Sequence, residues 1–363
     1  MENKTIFYAI INWGLGHATR STPIIRHLLE RGNRVILIAH GNALNLLHET
    51  FPECEYYDIR DQQIRYSRLS FLFVFKIVAQ LPKMLLCWRY ERRKVRELEK
   101  RLHPDLIISE MRLGVWSRRV PSVLITHQLR FFLPPALRWA VVFGEAFNRI
   151  VFRNYRYVFV PDAEGSTNLS GELSHKGKIA RHSKVRYIGC LSSIEVPETP
   201  VKGDLDLLIS ISGPEPQRSR FEAKVMEQLE ELPGSVWIAR GEPGAAKDKV
   251  LQNGRIRIFS HLDRQKMAEA MLKAKYIVCR SGYSTVMELL ALGKNALFVP
   301  TPGQTEQEYL ADYYRKQGVF HSCPQDKLDL SDLPPLPDNG LLKKTIPVNR
   351  LDHIEQLLDS LCP

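Results

Sequence analysis

Short apolar runs alternate along this chain with stretches whose apolar positions recur every three or four residues. In the first half, the runs Ile6–Ile11, Val35–Ala39, Leu106–Ser109, Ser122–Thr126 and Tyr157–Val160 predict strands, and Thr19–Arg31 and Ala43–Glu49 carry helical spacing. The second half repeats the style, with strands over Asp206–Ile211, Val236–Ala239, Ile256–Phe259, Tyr276–Cys279 and Asn295–Val299. Helical spacing falls on Arg218–Glu230 and Ser284–Leu292. Strand and helix in alternation predict an α/β protein with parallel, doubly wound sheets. A chain of 363 residues has room for two such domains, each with its own core. Tyr187-Ile188-Gly189 would close the first, and Pro197–Gly203 reads as the linker. The expected boundaries are therefore 1–195 and 203–335. After the proline-rich loop 331–337, a segment 340–363 ends in a further amphipathic helix over Arg350–Leu361.

Composition narrows the class. A 44% hydrophobic and 25% charged content fits a folded, soluble protein, and no signal-peptide pattern precedes the first strand. Six cysteines without a C-x-x-C pair point to reduced thiols in the cytoplasm and no zinc site. The net charge of +11 is localised: twelve Lys/Arg stand against four Asp/Glu over 60–101, and five against one over 130–156.

The richest chemistry lies at Arg280-Ser281-Gly282-Tyr283-Ser284-Thr285-Val286-Met287-Glu288, directly after the apolar run Tyr276–Cys279. Ser281-Gly282 forms a tight turn. The helix start then offers backbone N–H groups and a partial positive charge to an anion such as a diphosphate. About one turn in, the Glu288 carboxylate is placed to accept both hydroxyls of a ribose. The strand Asn295–Val299 runs into a polar loop where Gln307 and Glu308 would read sugar hydroxyls. Spacing alone fits an ordinary βαβ unit with a solvated glutamate equally well.

The order R-S-G-x-x-T-V-x-E, then F-V-P, then Q-x-E-Q-E-Y resembles the donor-binding half of the MurG-like glycosyltransferases. These are two-domain GT-B enzymes that use UDP-sugars. The resemblance implies two Rossmann-like domains facing across a cleft. It also implies that Glu288 holds the ribose and that Arg280, Ser281, Gly282 and Thr285 belong to the donor site. Gln307 and Glu308 would contact the sugar, Glu308 standing where the family has a second Gln. Leu262, in the segment Phe259–Leu262, would offer main chain to a uracil. Ser212 and Gly213 occupy the place of the family's Gly-rich phosphate loop as candidate diphosphate contacts. The following Pro214, Glu215 and Pro216 depart from it, since proline removes donors and a glutamate repels phosphate unless it meets Arg218 or Arg220.

Trp13-Gly14-Leu15-Gly16-His17 follows the first strand and opens the first helix. Family members carry a Gly-rich loop with a His here, beside the acceptor and the donor diphosphate. His17 is thus a candidate general base, because an imidazole takes a proton near neutral pH. A purely positioning role stays open, and Gly14 and Gly16 belong to the same loop. Thr126-His127-Gln128 ends another strand and is similar to the family's H-E-Q-N turn, which makes His127 and Gln128 cleft candidates; His40 reads as structural. The D-x-D at Asp204–Asp206 opens its strand, whereas ligands of open α/β sheets sit at the carboxyl ends. No metal and no cofactor is expected.

Leu69–Trp88 has fifteen apolar residues in twenty, but Lys76, Lys83 and Pro82 argue against a membrane span. Each lysine near a bilayer centre costs roughly 2.5–3.5 kcal/mol. Lys76, Gln80 and Lys83 form one polar stripe, the pattern of a helix lying in a membrane interface with flanking arginines for anionic headgroups. Phe131, Phe132, Trp139, Phe143 and Phe147 with Arg130, Arg138, Arg149 and Arg153 make a second such segment over 130–156. The plain alternative is that these helices pack on the first sheet and their bases face water. No nucleic-acid motif is present.

The combined expectation is an inverting, metal-independent UDP-sugar glycosyltransferase, with UDP-N-acetylglucosamine as one donor. Its acceptor would be lipid-linked or part of the cell envelope, and the enzyme peripheral on the cytoplasmic face of the membrane. A UDP-sugar hydrolase on the same fold, and a non-catalytic protein that binds sugar nucleotide or lipid, are the two other readings.

Overall fold

The computed structural model describes the whole chain except residues 63–72, 134, 195–202, 230–231, 233, 243–247, 338–344 and 362–363. The expected linker 197–202 and the start of the apolar segment, 69–72, therefore lie outside the described residues. So do the side chains of 73–78, including Lys76. The chain divides into two compact units, Met1–Ser193 with Ile346–Pro363, and Ile194–Thr345.

The first unit is built on β1 (Thr5–Ile10), β2 (Arg34–Ala39), β3 (Glu55–Asp58), β4 (Leu106–Glu110), β5 (Ser122–Ile125), β6 (Tyr157–Val160) and β7 (Val185–Tyr187). Every pairing is parallel, and the order is β3-β2-β1-β4-β5-β6-β7. Residues Ile6 to Ile10 are fully buried on both sides of the pleat. That is why these strands read as unbroken apolar runs. One face of the sheet packs Phe7, Ala9, Ile36, Ile38 and Ile107 on Val95 and Leu98. These two belong to α3 (Phe73–Leu102), which runs unbroken through Pro82 and far beyond the expected Trp88. Its second half is pinned by a buried ion pair, Arg112 Nε to Glu91 Oε1 at 2.9 Å. The other helices of this unit are α1 (Gly16–Glu30), α2 (Gly41–Thr50), α4 (Val141–Phe152) and the short α5 (Glu172–His175).

After residue 346 the chain is back in the first unit, where α10 (Leu351–Asp359) docks on α1. Glu355 accepts from His27 Nε2 at 2.9 Å and Arg31 Nε at 2.8 Å. Asn349 bonds both the N–H and the C=O of Ser192.

The second unit holds β8 (Leu205–Ser210), β9 (Val236–Ala239), β10 (Lys249–Leu251), β11 (Ile256–Phe259), β12 (Ala274–Cys279), β13 (Leu297–Phe298) and β14 (His321–Ser322), in the order β10-β11-β9-β8-β12-β13-β14. Only the edge pair β10–β11 is antiparallel. Its helices are α6 (Gln217–Met226), α7 (Arg264–Lys273), α8 (Tyr283–Leu292) and α9 (Thr305–Lys316). Ile209, Phe221, Val225, Ile238, Ile256 and Val278 form its core. The polar loop expected over Gly303–Glu308 is a correction: α9 starts at Thr305. Glu306 and Glu308 in its first turn suit the positive end of a helix dipole.

Candidate active site

In the first sheet the strand order reverses between β1 and β4, and such a reversal opens a crevice beyond the carboxyl ends of the strands. β1 leads there into the loop before α1, and β4 ends on Glu110. His17 and Arg20 share one face of the first turns of α1 by their i, i+3 spacing. His17 Nδ1 lies 2.8 Å from Glu110 Oε1, and Arg20 Nε donates to the same oxygen at 3.0 Å. A second guanidinium nitrogen, Nη2, also donates to Glu110. Arg20 Nη1 reaches His127 Nδ1, after β5, at 2.9 Å. Arg20, Glu110 and His127 are buried, and the two imidazole centroids are 6.3 Å apart.

The charges of this cluster decide the protonation of His17. Burial alone would raise the Glu110 pKa, but the Arg20 charge and the His17 hydrogen bond outweigh it, and the carboxyl falls below its ordinary range. Burial, then Arg20, pull His17 down to about 4 against the opposing pull of Glu110. His17 is therefore neutral at physiological pH. Glu110 accepts and Arg20 Nη2, 2.9 Å from the same Nδ1, only donates, so the two compete for this nitrogen; with the proton on Nδ1 facing Glu110, the lone pair lies on Nε2. A neutral ring so oriented is chemically fit to take a proton.

The second sheet reverses between β8 and β12. Ser212 and Gly213 follow β8; Ser281 to Thr285 follow β12 and open α8. Gly213 has φ +111°, and a Cβ there would lie 3.2 Å from Thr301 Oγ1, so the position requires glycine. Glu288 lies within α8, and burial pushes its carboxyl up to about 7, opposed by Arg264. Ser281 Oγ donates to the Gln307 carbonyl at 2.8 Å. From the first turns of α9, Gln307 Oε1 accepts from Thr301 N at 2.9 Å and Glu308 Oε1 from Gly303 N at 2.8 Å.

A model of the glycosyltransferase family 28 C-terminal domain matches residues 223–346. The chain is 25% identical over 326 residues to the UDP-N-acetylglucosamine–N-acetylmuramyl-(pentapeptide) pyrophosphoryl-undecaprenol N-acetylglucosamine transferase of Bifidobacterium adolescentis, covering 82% of this chain and 79% of that one. Among solved structures it is similar to the glycotransferase of kitacinnamycin, with TM-score 0.67, 14% identity and full coverage of both chains. It is also similar to Acinetobacter baumannii MurG, with TM-score 0.56 and 16% identity over 98% of this chain and 99% of that one. The chain is a glycosyltransferase similar to MurG, with a family 28 C-terminal domain over residues 223–346. Its two units are the two domains of the GT-B fold.

In this glycosyltransferase the expected site residues fall into two groups, one in each unit. His17 and His127 meet through Arg20, with Gly14 and Gly16 in the loop that delivers His17. Gln128, by contrast, has its N–H on Thr126 Oγ1 at 3.1 Å. His40 pairs with Asp58 at 2.6 Å, as a structural histidine would. In the second unit Ser212, Gly213, Ser281, Gly282, Thr285 and Glu288 gather around the β8–β12 reversal. Arg280 is buried, with its donors on the carbonyls of Ser212, Gln217, Val299 and Pro300 and the Gln325 side chain. Leu262 is buried too, so what it presents is main chain. The carbonyls of Phe259 and Ser260 are already taken by the N–H groups of Arg240 and Glu242. Glu215 bonds Arg218 Nε at 2.7 Å and Ser219 Oγ at 2.8 Å, which answers the repulsion expected of it. Asp206, of the D-x-D pair, lies near the amino end of β8 and accepts from Ser235 N and Lys275 Nζ.

Sequence reasoning missed Arg20 and Glu110. Glu110 had a signal: an acid directly ending the apolar run Leu106–Ser109, where strand ends carry function. Arg20 had none, as one more base on a helix with several.

Proposed function

We propose that this glycosyltransferase moves a sugar from a UDP-sugar to a hydroxyl of a lipid-linked or cell-envelope acceptor, by an inverting and metal-independent displacement. The observation that carries the donor half is Glu288, half-buried about one turn into α8 at the strand-order reversal of the second sheet. There its carboxylate holds the ribose hydroxyls, while Ser212, Gly213 and the start of α8 receive the diphosphate and Gln307 and Glu308 face the sugar. Leu262 gives main chain to the uracil. UDP-N-acetylglucosamine is the first donor to try, since the similar B. adolescentis protein is named for that sugar.

In the chemical step the acceptor oxygen forms a bond to the anomeric carbon as the bond to UDP breaks, and UDP leaves with the electron pair. The acceptor proton passes to His17 Nε2, and Glu110, hydrogen-bonded to Nδ1, stabilises the imidazolium that forms. Helix N–H groups and hydroxyls take the charge growing on UDP. Metal independence is supported by Asp206, whose carboxylate is committed to Ser235 and Lys275.

The acceptor class is supported by the first unit. Trp139, Val142, Phe143 and Ile150 are each 59–68% exposed on the segment that includes α4, interleaved with exposed Arg138, Arg149 and Arg153. A ring stack of Trp88 on Phe147, 5.7 Å between centroids, joins α4 to α3, where Leu85 and Leu86 are also exposed. No helix among the described residues is long and apolar enough to cross a membrane. The pattern fits a surface resting on lipid at the cytoplasmic face.

A thermal-shift panel of UDP, GDP, TDP and UDP-sugars, repeated on Glu288→Ala, tests the donor. A UDP-selective rise in melting temperature that disappears in the variant supports the reading. No shift with any nucleotide sinks it in favour of a non-catalytic binding protein. Release of free sugar without any acceptor favours a hydrolase.

A further inference from the structure

Five oxygens surround the guanidinium of Arg280. Nε donates to the Ser212 carbonyl at 3.2 Å, and Nη1 to the carbonyls of Val299 at 3.0 Å and Pro300 at 3.3 Å. Nη2 donates to the Gln217 carbonyl at 3.1 Å and to Gln325 Oε1 at 2.7 Å. The Phe221 ring covers one face, with the guanidinium carbon 4.2 Å from its centroid, and the residue is 1% exposed. A guanidinium has five N–H groups, and this one meets five neutral acceptors.

Those acceptors belong to separate connections. Ser212 follows β8, Val299 and Pro300 follow β13, Gln217 opens α6, and Gln325 lies in a single turn beyond β14. Arg280 itself follows β12. One side chain thus ties together the connections that follow β8, β12, β13 and β14, and it has no N–H left for a phosphate. We propose that Arg280 is a positioning residue: its guanidinium fixes the spacing between the Ser212–Gly213, Ser281–Thr285 and Thr301–Glu308 segments that receive the diphosphate and sugar. This rests on the UDP-sugar reading above. The planar five-donor fork is the feature required. An ammonium offers three donors from one point and would leave carbonyls buried without partners.

The test is calorimetric UDP binding to the full chain, with steady-state donor kinetics. Displacements of about an ångström in a binding frame cost up to about a hundredfold. Arg280→Lys, folded by circular dichroism, is expected to weaken UDP binding and raise donor KM by about ten- to a hundredfold. The pH profile governed by His17 should stay where it is, which general destabilisation would not ensure. Arg280→Ala should regain UDP binding with methylguanidinium and not with methylammonium. If wild type binds UDP and Arg280→Lys binds it within about twofold, or if methylammonium rescues equally well, the proposal falls while the donor reading stands. If wild type itself does not bind UDP, the donor reading falls and takes the proposal with it.

Discussion

His17 Nδ1 and Glu110 Oε1 are 2.8 Å apart although ninety-three residues separate them in the chain. The parallel pairing of β1 with β4 brings them together, and Arg20, one turn after His17, closes the group from the side. The consequence is a neutral imidazole whose Nδ1 edge is held by Glu110 and Arg20. His17→Ala should lower kcat by about 10²–10⁴ while donor binding stays intact, as for loss of a general base. Glu110→Gln keeps the shape but removes the charge that stabilises an imidazolium, so kcat should fall by at least about tenfold. Steady-state kinetics alongside UDP calorimetry check both.

The same pair sets a pH dependence. His17 is held at about 4 against an ordinary 6.5, so the acid limb of its activity should lie near pH 4. For stability, the unfolded chain takes up this proton first as pH falls, and stability should drop between pH 6.5 and about 4. The lowered Glu110 pKa acts in the same direction at still lower pH. Melting temperatures at pH 7 and pH 4.5 should differ less in His17→Gln than in wild type.

Glu288 carries the opposite sign. Its carboxyl is pushed up to about 7 from an ordinary 4.5, so folding stability is lost as pH rises through that window. Glu288→Gln should therefore melt higher than wild type at pH 8. If ribose hydroxyls donate to the carboxylate, binding favours its ionised form, and UDP affinity should weaken as pH falls below about 7. Glu288→Ala should lose about ten- to a hundredfold in affinity, the worth of one charge-assisted hydrogen bond. Calorimetry at pH 6 and 8 on wild type and Glu288→Gln separates these effects.

The strands were legible because parallel strands buried on both faces leave unbroken apolar runs, and Tyr157–Val160, Val236–Ala239 and Ile256–Phe259 fall on the expected residues. The edge strand β3, Glu-Tyr-Tyr-Asp and only part-buried, carries no such run. The two-residue β14 is too short to leave one. Helix α9 hid behind Gly303 and a polar first turn whose Gln307 and Glu308 bond the loop before it. The Arg20–Glu110 contact was illegible for a different reason: a buried arginine is rare, and its partner is specified by topology alone.

Glu215 looked hostile to a phosphate, yet it is committed to Arg218 and to Ser219 at the start of α6. Arg218 also pairs with Glu222 and Glu242. Neutralising Glu215 should therefore do little for the donor. Glu215→Gln is expected to change UDP affinity by less than about threefold at low salt, because the charge is already offset. Glu215→Ala should instead cost about 0.5–1 kcal/mol of stability by removing a helix-start acceptor. A large gain in UDP affinity in either variant would show that the carboxylate faces the diphosphate.

The lipid-facing reading of the first unit makes the sharpest demand on four apolar side chains. Trp139 and Phe143 meet edge to face at 6.1 Å and are 68% and 66% exposed, so neither supports the core of its own unit. Replacing both with glutamate should leave the melting temperature and soluble-acceptor turnover nearly unchanged while abolishing co-sedimentation with anionic vesicles. Arg149→Ala and Arg153→Ala should each weaken vesicle binding by about 1 kcal/mol, an effect that fades in high salt. Vesicles of neutral phosphatidylcholine give the apolar share alone. Wild-type chain that ignores both kinds of vesicle would return these helices to a surface that merely faces water.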